Sequence, residues 1–229
     1  MKATVIVFPG SNCDRDVAVS LKDAMGTQAD MVWHGDAEIP KTDLIVLPGG
    51  FSYGDYLRCG AMAAQSPIMK DVVAKANSGV PVLGICNGFQ LLTEAGLLPG
   101  AMLRNANLKY ICKDVHLRVE RNDTVFSRHY TQGDVIKIPI AHHDGNFFAD
   151  TETLAQLEDQ NRIAFRYCDT EGHITKTANP NGSANNIAGI YNENGTILGL
   201  MPHPERLADM QLGGSDGKPM FTSLAETLH

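Results

Sequence analysis

Short apolar runs alternate with segments of helical spacing through the first half of the chain. Residues 3–8 are continuously apolar apart from Thr4 and end at Pro9-Gly10, which predicts a buried strand and a turn. Val17, Leu21, Ala24 and Met25 recur at helical spacing over residues 14–25, and Gly26 is placed to stop that helix. Residues 29–33 and 44–47 give two further strands, the second clipped by Pro48-Gly49-Gly50. A helix is predicted over 61–76, with Pro67 forcing a break or a new start near Ser66. A strand over 80–85 then runs into a helix over 87–94 that ends around Gly96. This order predicts an α/β fold with a mainly parallel central sheet flanked by helices. In the C-terminal half the pattern changes to antiparallel additions. Strands are predicted at 110–120, 134–140 and 162–167, and a hairpin at 186–191 and 196–200 around Asn192-Glu193-Asn194-Gly195. A last helix is predicted over 219–228. No repeat, low-complexity tract or linker divides the chain, so a single domain over 1–229 is expected.

The hydrophobic fraction of 43% supports a large core and argues against disorder. No apolar run reaches membrane-spanning length, and the opening residues form a strand where a secretory leader would need a longer apolar stretch. A net charge of −7 weighs against nonspecific nucleic-acid binding. The five cysteines, at 13, 59, 86, 112 and 168, include no Cys-x-x-Cys pair, which suits a reducing cytoplasm better than a disulfide framework.

Among them Cys86 stands apart. Gly84-Ile85-Cys86-Asn87-Gly88 joins an apolar strand to a helix, and small residues on either side let the two backbones approach around a reactive residue. The helix N-terminus would support negative charge at that point. A buried structural cysteine is the plain alternative, and the strand–turn–helix setting favours the nucleophile. Cys13, in a turn, and Cys59, beside Gly60 near a helix start, could both be exposed. Cys112 and Cys168 fall in strands as small apolar fillers. At the end of the last strand, Pro202-His203-Pro204-Glu205 offers a base and an acid. An extended path would turn His203 and Glu205 to one side, where the carboxylate can orient the imidazole. An inert surface His–Glu pair is the competing account. Backbone N–H groups of the Pro48-Gly49-Gly50-Phe51 turn and of Asn87 are candidate oxyanion donors. The same glycine-rich loop lacks the lysine and spacing of a nucleotide-binding P-loop. His142, His143 and Asp144 invite a metal reading, but adjacent imidazoles point apart in an extended segment and no further ligand completes a set, so a loop contact is expected.

These motifs resemble those of the class I, or triad, glutamine amidotransferases over essentially the whole chain. The Cys86 elbow and the Pro-His-Pro-Glu of Met201-Pro202-His203-Pro204-Glu205-Arg206 are shared across that family, and the segments 8–14, 47–58 and 179–183 narrow the resemblance to the glutaminase subunits of phosphoribosylformylglycinamidine synthase. The resemblance implies a flavodoxin-like amidotransferase domain, a triad of Cys86, His203 and Glu205, oxyanion donors at Gly50 and Asn87, and Gln90 as a contact for bound L-glutamine. It also implies no cofactor or metal in this chain. ATP and magnesium would serve a separate large synthetase subunit, with a small bridging subunit between the two, and neither nucleic acid nor membrane is an implied partner. One departure stands out: His142-His143-Asp144-Gly145 occupies the place where the family usually has His-Gly-Glu-Gly. A free-standing cysteine hydrolase, a non-catalytic regulatory subunit and the glutaminase of another amidotransferase, such as guanylate or anthranilate synthase, remain alternatives. Docking of a partner is expected around the Cys86 mouth, at 51–58 and 142–145.

Overall fold

Strands β1 (Ala3–Val7), β3 (Leu44–Leu47), β4 (Val82–Ile85) and β11 (Ile197–Leu200) run parallel side by side, with β2 (Asp30–Trp33) outside β1. Every residue of β3, β4 and β11 is buried, as expected of strands covered on both faces. From β11 the sheet continues antiparallel through β10 (Ile187–Tyr191), β9 (Ile163–Cys168), β6 (Ile111–Val119) and β7 (Val135–His142). The result is one nine-stranded sheet in the order β2-β1-β3-β4-β11-β10-β9-β6-β7. Its antiparallel part is as wide as its parallel part. This computed structural model describes residues 1–55 and 58–228; Tyr56 and Leu57 of the 47–58 motif lie outside the described residues.

Helix α1 (Asp14–Met25) packs on β1, and α4 (Asn87–Glu94) lies over β3, β4 and β11. The helix expected over 61–76 is two, α2 (Ala61–Ala64) and α3 (Pro67–Asn77), parted at Ser66 as Pro67 requires. The C-terminal helix α6 (Lys218–Thr227) packs against α1. Three elements go beyond the sequence expectation. Helix α5 (Thr151–Asp159) is capped by Asp150, whose side chain accepts from the Thr153 N–H at 2.7 Å, and it buries only Leu157. A separate ribbon pairs β5 (Ala101–Leu103) with β8 (Asn146–Phe148), each too short for a period to show. Pro139 sits within β7, which tolerates it as an edge strand. Among the described residues no helix is long and apolar enough to cross a membrane.

The cysteines are placed differently from expectation at three positions. Cys13 and Cys59 are buried; the 203–206 turn closes over the first, and Gly60, beside the second, lies against α4 at Gln90 and Leu91. Cys112 is exposed on β6, while Cys168 fills the core as expected.

Candidate active site

Residues 86 and 203 come together because β4 and β11 are parallel neighbours in register, with Ile85 opposite Leu200. The Cys86 N–H donates to the Leu200 carbonyl at 2.7 Å, fixing the turn at Cys86 to the strand that leads to His203. Cys86 itself is held at φ 51° and ψ −105°, a strained conformation for a non-glycine residue that costs on the order of 1–3 kcal/mol. Surrounding packing enforces it. A Cβ on Gly84 would lie 2.7 Å from the Gly88 carbonyl oxygen, and a Cβ on Gly88 would overlap the Leu47 carbonyl of β3. The Cys86 sulfur faces the Ala141 carbonyl of β7 at 3.9 Å.

His203 and Glu205 are 2% and 1% exposed, which removes the surface-pair reading. The expected extended path between them is not what joins them. Pro204–Leu207 forms a 3₁₀ turn that begins at a proline, and the turn folds Glu205 back onto the imidazole. Glu205 Oε1 lies 2.6 Å from His203 Nδ1, so Nδ1 carries the proton it donates and Nε2 is left for chemistry. Nε2 has no partner among the described residues. The turn is pinned at both ends. The His203 N–H donates to the Pro139 carbonyl at 2.9 Å, and Ser20 Oγ of α1 donates to the Glu205 carbonyl at 3.3 Å. Burial alone would lower the His203 pKa; the Glu205 carboxylate, then the Cys86 and Cys13 sulfurs, outweigh it and hold the imidazole well above its ordinary value.

Gly50 sits at φ 147°, bridged to Ser11, and neither its N–H nor that of Asn87 finds an acceptor among the described residues. Asn87 is the first residue of α4, where the helix leaves N–H groups unpaired. Its side chain accepts from the Ser52 N–H at 3.2 Å, tying the two donor segments together, and donates to Gln90 Oε1 at 2.8 Å. Gln90 Nε2 in turn donates to the Asp144 carbonyl at 2.7 Å, so Gln90 joins α4 to the 142–145 loop.

Cys13 is the neighbour that sequence reasoning did not put here. Its sulfur, a ring nitrogen of His203 and a carboxylate oxygen of Glu205 lie within 4.8 Å of one another. Those three donors are close enough for a metal ion, yet the acid and the imidazole are already hydrogen-bonded to each other. Arg206 Nη2 donates to the Cys13 sulfur at 3.1 Å, and that thiol faces Asn12 Oδ1 at 3.2 Å. The signal available in sequence was the family-like 8–14 segment. His142 is no ligand candidate: its Nδ1 meets Asn105 Oδ1 at 3.1 Å and its Nε2 faces Asn181 Nδ2 at 3.5 Å. The adjacent loop histidine, His143, faces Asp144 at 3.4 Å.

The CobB/CobQ-like glutamine amidotransferase domain matches residues 1–213. A phosphoribosylformylglycinamidine synthase subunit PurQ from Ruegeria sp. (strain TM1040) is 59% identical over 229 residues, covering 100% of this chain and 99% of the relative. The chain belongs to the PurQ-type glutamine amidotransferases. A further PurQ-type relative, from Moorella thermoacetica, is 56% identical over 99% of this chain and 96% of its own. Among solved structures, PurLQS from Thermotoga maritima is similar with a TM-score of 0.85 and 42% identity, covering 100% of this chain and 99% of that one. The PurQ-type family is that of triad enzymes, and the mixed sheet with an acid–imidazole pair at its centre fits the class I fold.

Proposed function

We propose that this chain, as one domain over 1–229, hydrolyses L-glutamine to glutamate and ammonia with Cys86 as nucleophile, His203 as base and Glu205 as its orienter. The observation that carries the reading is the strained Cys86 turn, fixed to β11 beside a buried imidazole whose Nδ1 is committed to Glu205. In this mechanism Nε2 accepts the thiol proton as sulfur attacks the amide carbon, then gives it to the departing ammonia. The Gly50 and Asn87 N–H groups receive the tetrahedral oxyanion, and water drawn by Nε2 then cleaves the thioester to glutamate. Gln90 borders the substrate. Cys86 is favoured over Cys13 because the Cys13 sulfur already has Arg206 and Asn12 as partners, and its backbone has the ordinary φ of −111°.

The ammonia passes to a large synthetase subunit that uses ATP and magnesium to convert formylglycinamide ribonucleotide to formylglycinamidine ribonucleotide, with a small bridging subunit between them, in a cytoplasmic complex. Support comes from the names of the relatives and of the Thermotoga maritima structure. Leu103, Leu108, Tyr110 and Phe148 remain exposed beyond the site, which suits a protein partner at the mouth. A glutamine-analogue alkylator tests the assignment of the nucleophile. Peptide mapping is expected to find Cys86 modified and protected by glutamine; modification of Cys13 with Cys86 untouched would reverse the roles of the two thiols.

A further inference from the structure

The loop that carries Gly50 is wound against its own preferences. Tyr53, Gly54 and Asp55 follow one another at φ 54°, 68° and 54°, left-handed conformations that glycine alone adopts freely. Other residues stay there only when their surroundings hold them. Backbone ties secure the start of the loop: the Phe51 N–H donates to the Gly10 carbonyl at 2.9 Å and the Tyr53 N–H to the Pro9 carbonyl at 2.8 Å. Among its polar side chains, Ser52 Oγ and Asp55 Oδ1 are buried and find no partner among the described residues. The Tyr53 hydroxyl does find one. It lies 2.9 Å from His34 Nδ1 and 3.4 Å from Ser66 Oγ, which is itself 3.2 Å from the same nitrogen. His34 is a firm anchor. Its N–H donates to the Val7 carbonyl at 2.9 Å, its carbonyl accepts from the Ile68 N–H of α3 at 3.3 Å, and its ring packs against those of Phe8, Trp33 and Tyr53. Partial burial holds the imidazole below its ordinary pKa, against the Asp36 charge, which keeps the ring neutral and Nδ1 able to accept.

The other end of the same segment reaches the chemistry. A Cβ on Gly49 would lie 2.6 Å from His203 Cε1. Gly50 lines a small cavity with His203 and with Ala141, whose carbonyl faces the Cys86 sulfur at 3.9 Å. Ser52 is tied to Asn87, the residue after Cys86. We infer that the Tyr53 hydroxyl, donating to the His34 ring, is a positioning group that keeps the Gly50 N–H aimed at the oxyanion. The inference rests on the glutaminase reading, with Gly50 as a donor, and adds to it a tyrosine and a histidine outside the triad. Both act through the backbone of the loop. Without the hydroxyl, residues 53–55 relax towards ordinary dihedrals, and the shift passes through Ser52 and Phe51 to the Gly50 N–H. A misaimed donor raises the barrier for glutamine while Cys86 and His203 stay in place.

The test compares two rates in the chain assembled with its synthetase and bridging subunits. Glutamine turnover needs the oxyanion donors. Alkylation of Cys86 by iodoacetamide does not: sulfur displaces iodide from a methylene carbon, the thiol proton passes to His203, and no oxyanion forms. Peptide mapping confines the second rate to Cys86. Tyr53→Phe, which removes the hydroxyl and keeps the ring, is expected to lower kcat for glutamine by about tenfold or more with KM within about threefold, and to leave the alkylation rate within about twofold. His34→Leu is expected to reproduce that loss, and His34→Gln, which keeps an acceptor, to recover most of it. The Tyr53→Phe, His34→Leu double variant is expected to be no worse than either alone. The two Tyr53→Phe rates decide the matter even where a His34 variant fails to fold. Wild-type kcat in Tyr53→Phe, alkylation that falls in step with turnover, or losses that multiply in the double variant would overturn the inference and leave the glutaminase intact. Absence of glutamate release from glutamine in the assembled wild type would remove both.

Discussion

On the His203 imidazole two opposing influences meet. Burial, the largest single influence, disfavours the charged ring, and the Glu205 carboxylate 2.6 Å away, joined by the Cys86 and Cys13 sulfurs, outweighs it. The consequence is a division of labour between the two residues. His203→Ala removes the group that moves protons and is expected to lower kcat by more than about 10³-fold, while Glu205→Ala leaves a misoriented base and is expected to cost less. Steady-state glutamine turnover by the two variants decides this; rates for both near wild type would break the triad. At this scale Cys86, His203 and Glu205 could be singled out as candidates from sequence because each sits in a local motif. Cys13 was not. Its sulfur is brought beside the imidazole by a turn 193 residues away, at Arg206, and the 8–14 segment marks the stretch by family likeness without showing that approach.

Between β4 and α4, the elbow depends on what glycine lacks. A methyl group at position 88 would collide with the Leu47 carbonyl of a buried strand, so backbone must move before it can be accommodated. Gly88→Ala is expected to destabilise the protein by about 1–3 kcal/mol, and to lower kcat by displacing Cys86 and the Asn87 N–H. Thermal denaturation alongside turnover checks both; a variant with wild-type stability and wild-type rate would show that the tight approach is not needed. The strand and helix periods that predicted β1, β3, β4, α1 and α4 belong to long or fully buried segments, where hydrophobic pattern is strongest. Helix α5 escaped because it buries one residue, Leu157, and β5 and β8 because three residues carry no period. The turn after β11 shows a different limit. His203 and Glu205 were expected to meet along an extended path, yet Pro204 starts a 3₁₀ turn and the pair meets by folding back.

Across the whole molecule, the site stands where the parallel and antiparallel parts of the sheet join. β4 and β11 lead into the turn at Cys86 and to His203, the proposed nucleophile and base, and β7, at the edge of the antiparallel part, supplies the Pro139 and Ala141 carbonyls that anchor His203 and face Cys86. The alternation of strands and helices made the parallel half legible from sequence, whereas the order of β6, β7, β9 and β10 is a matter of long-range pairing that no local pattern encodes. A glutaminase that ran freely would spend glutamine without an acceptor for its ammonia. The loops around the mouth, at 50–55 and 142–145, carry both the proposed oxyanion donor Gly50 and the Gln90 partner Asp144, so a partner that settles them can switch the chemistry on. The most direct measurement is glutamate release from glutamine by the purified chain, alone and mixed with the synthetase and bridging subunits, with and without formylglycinamide ribonucleotide and ATP. Low release alone that rises at least about tenfold in the complete mixture is the predicted result; no release under any condition, or high release indifferent to every addition, would contradict it.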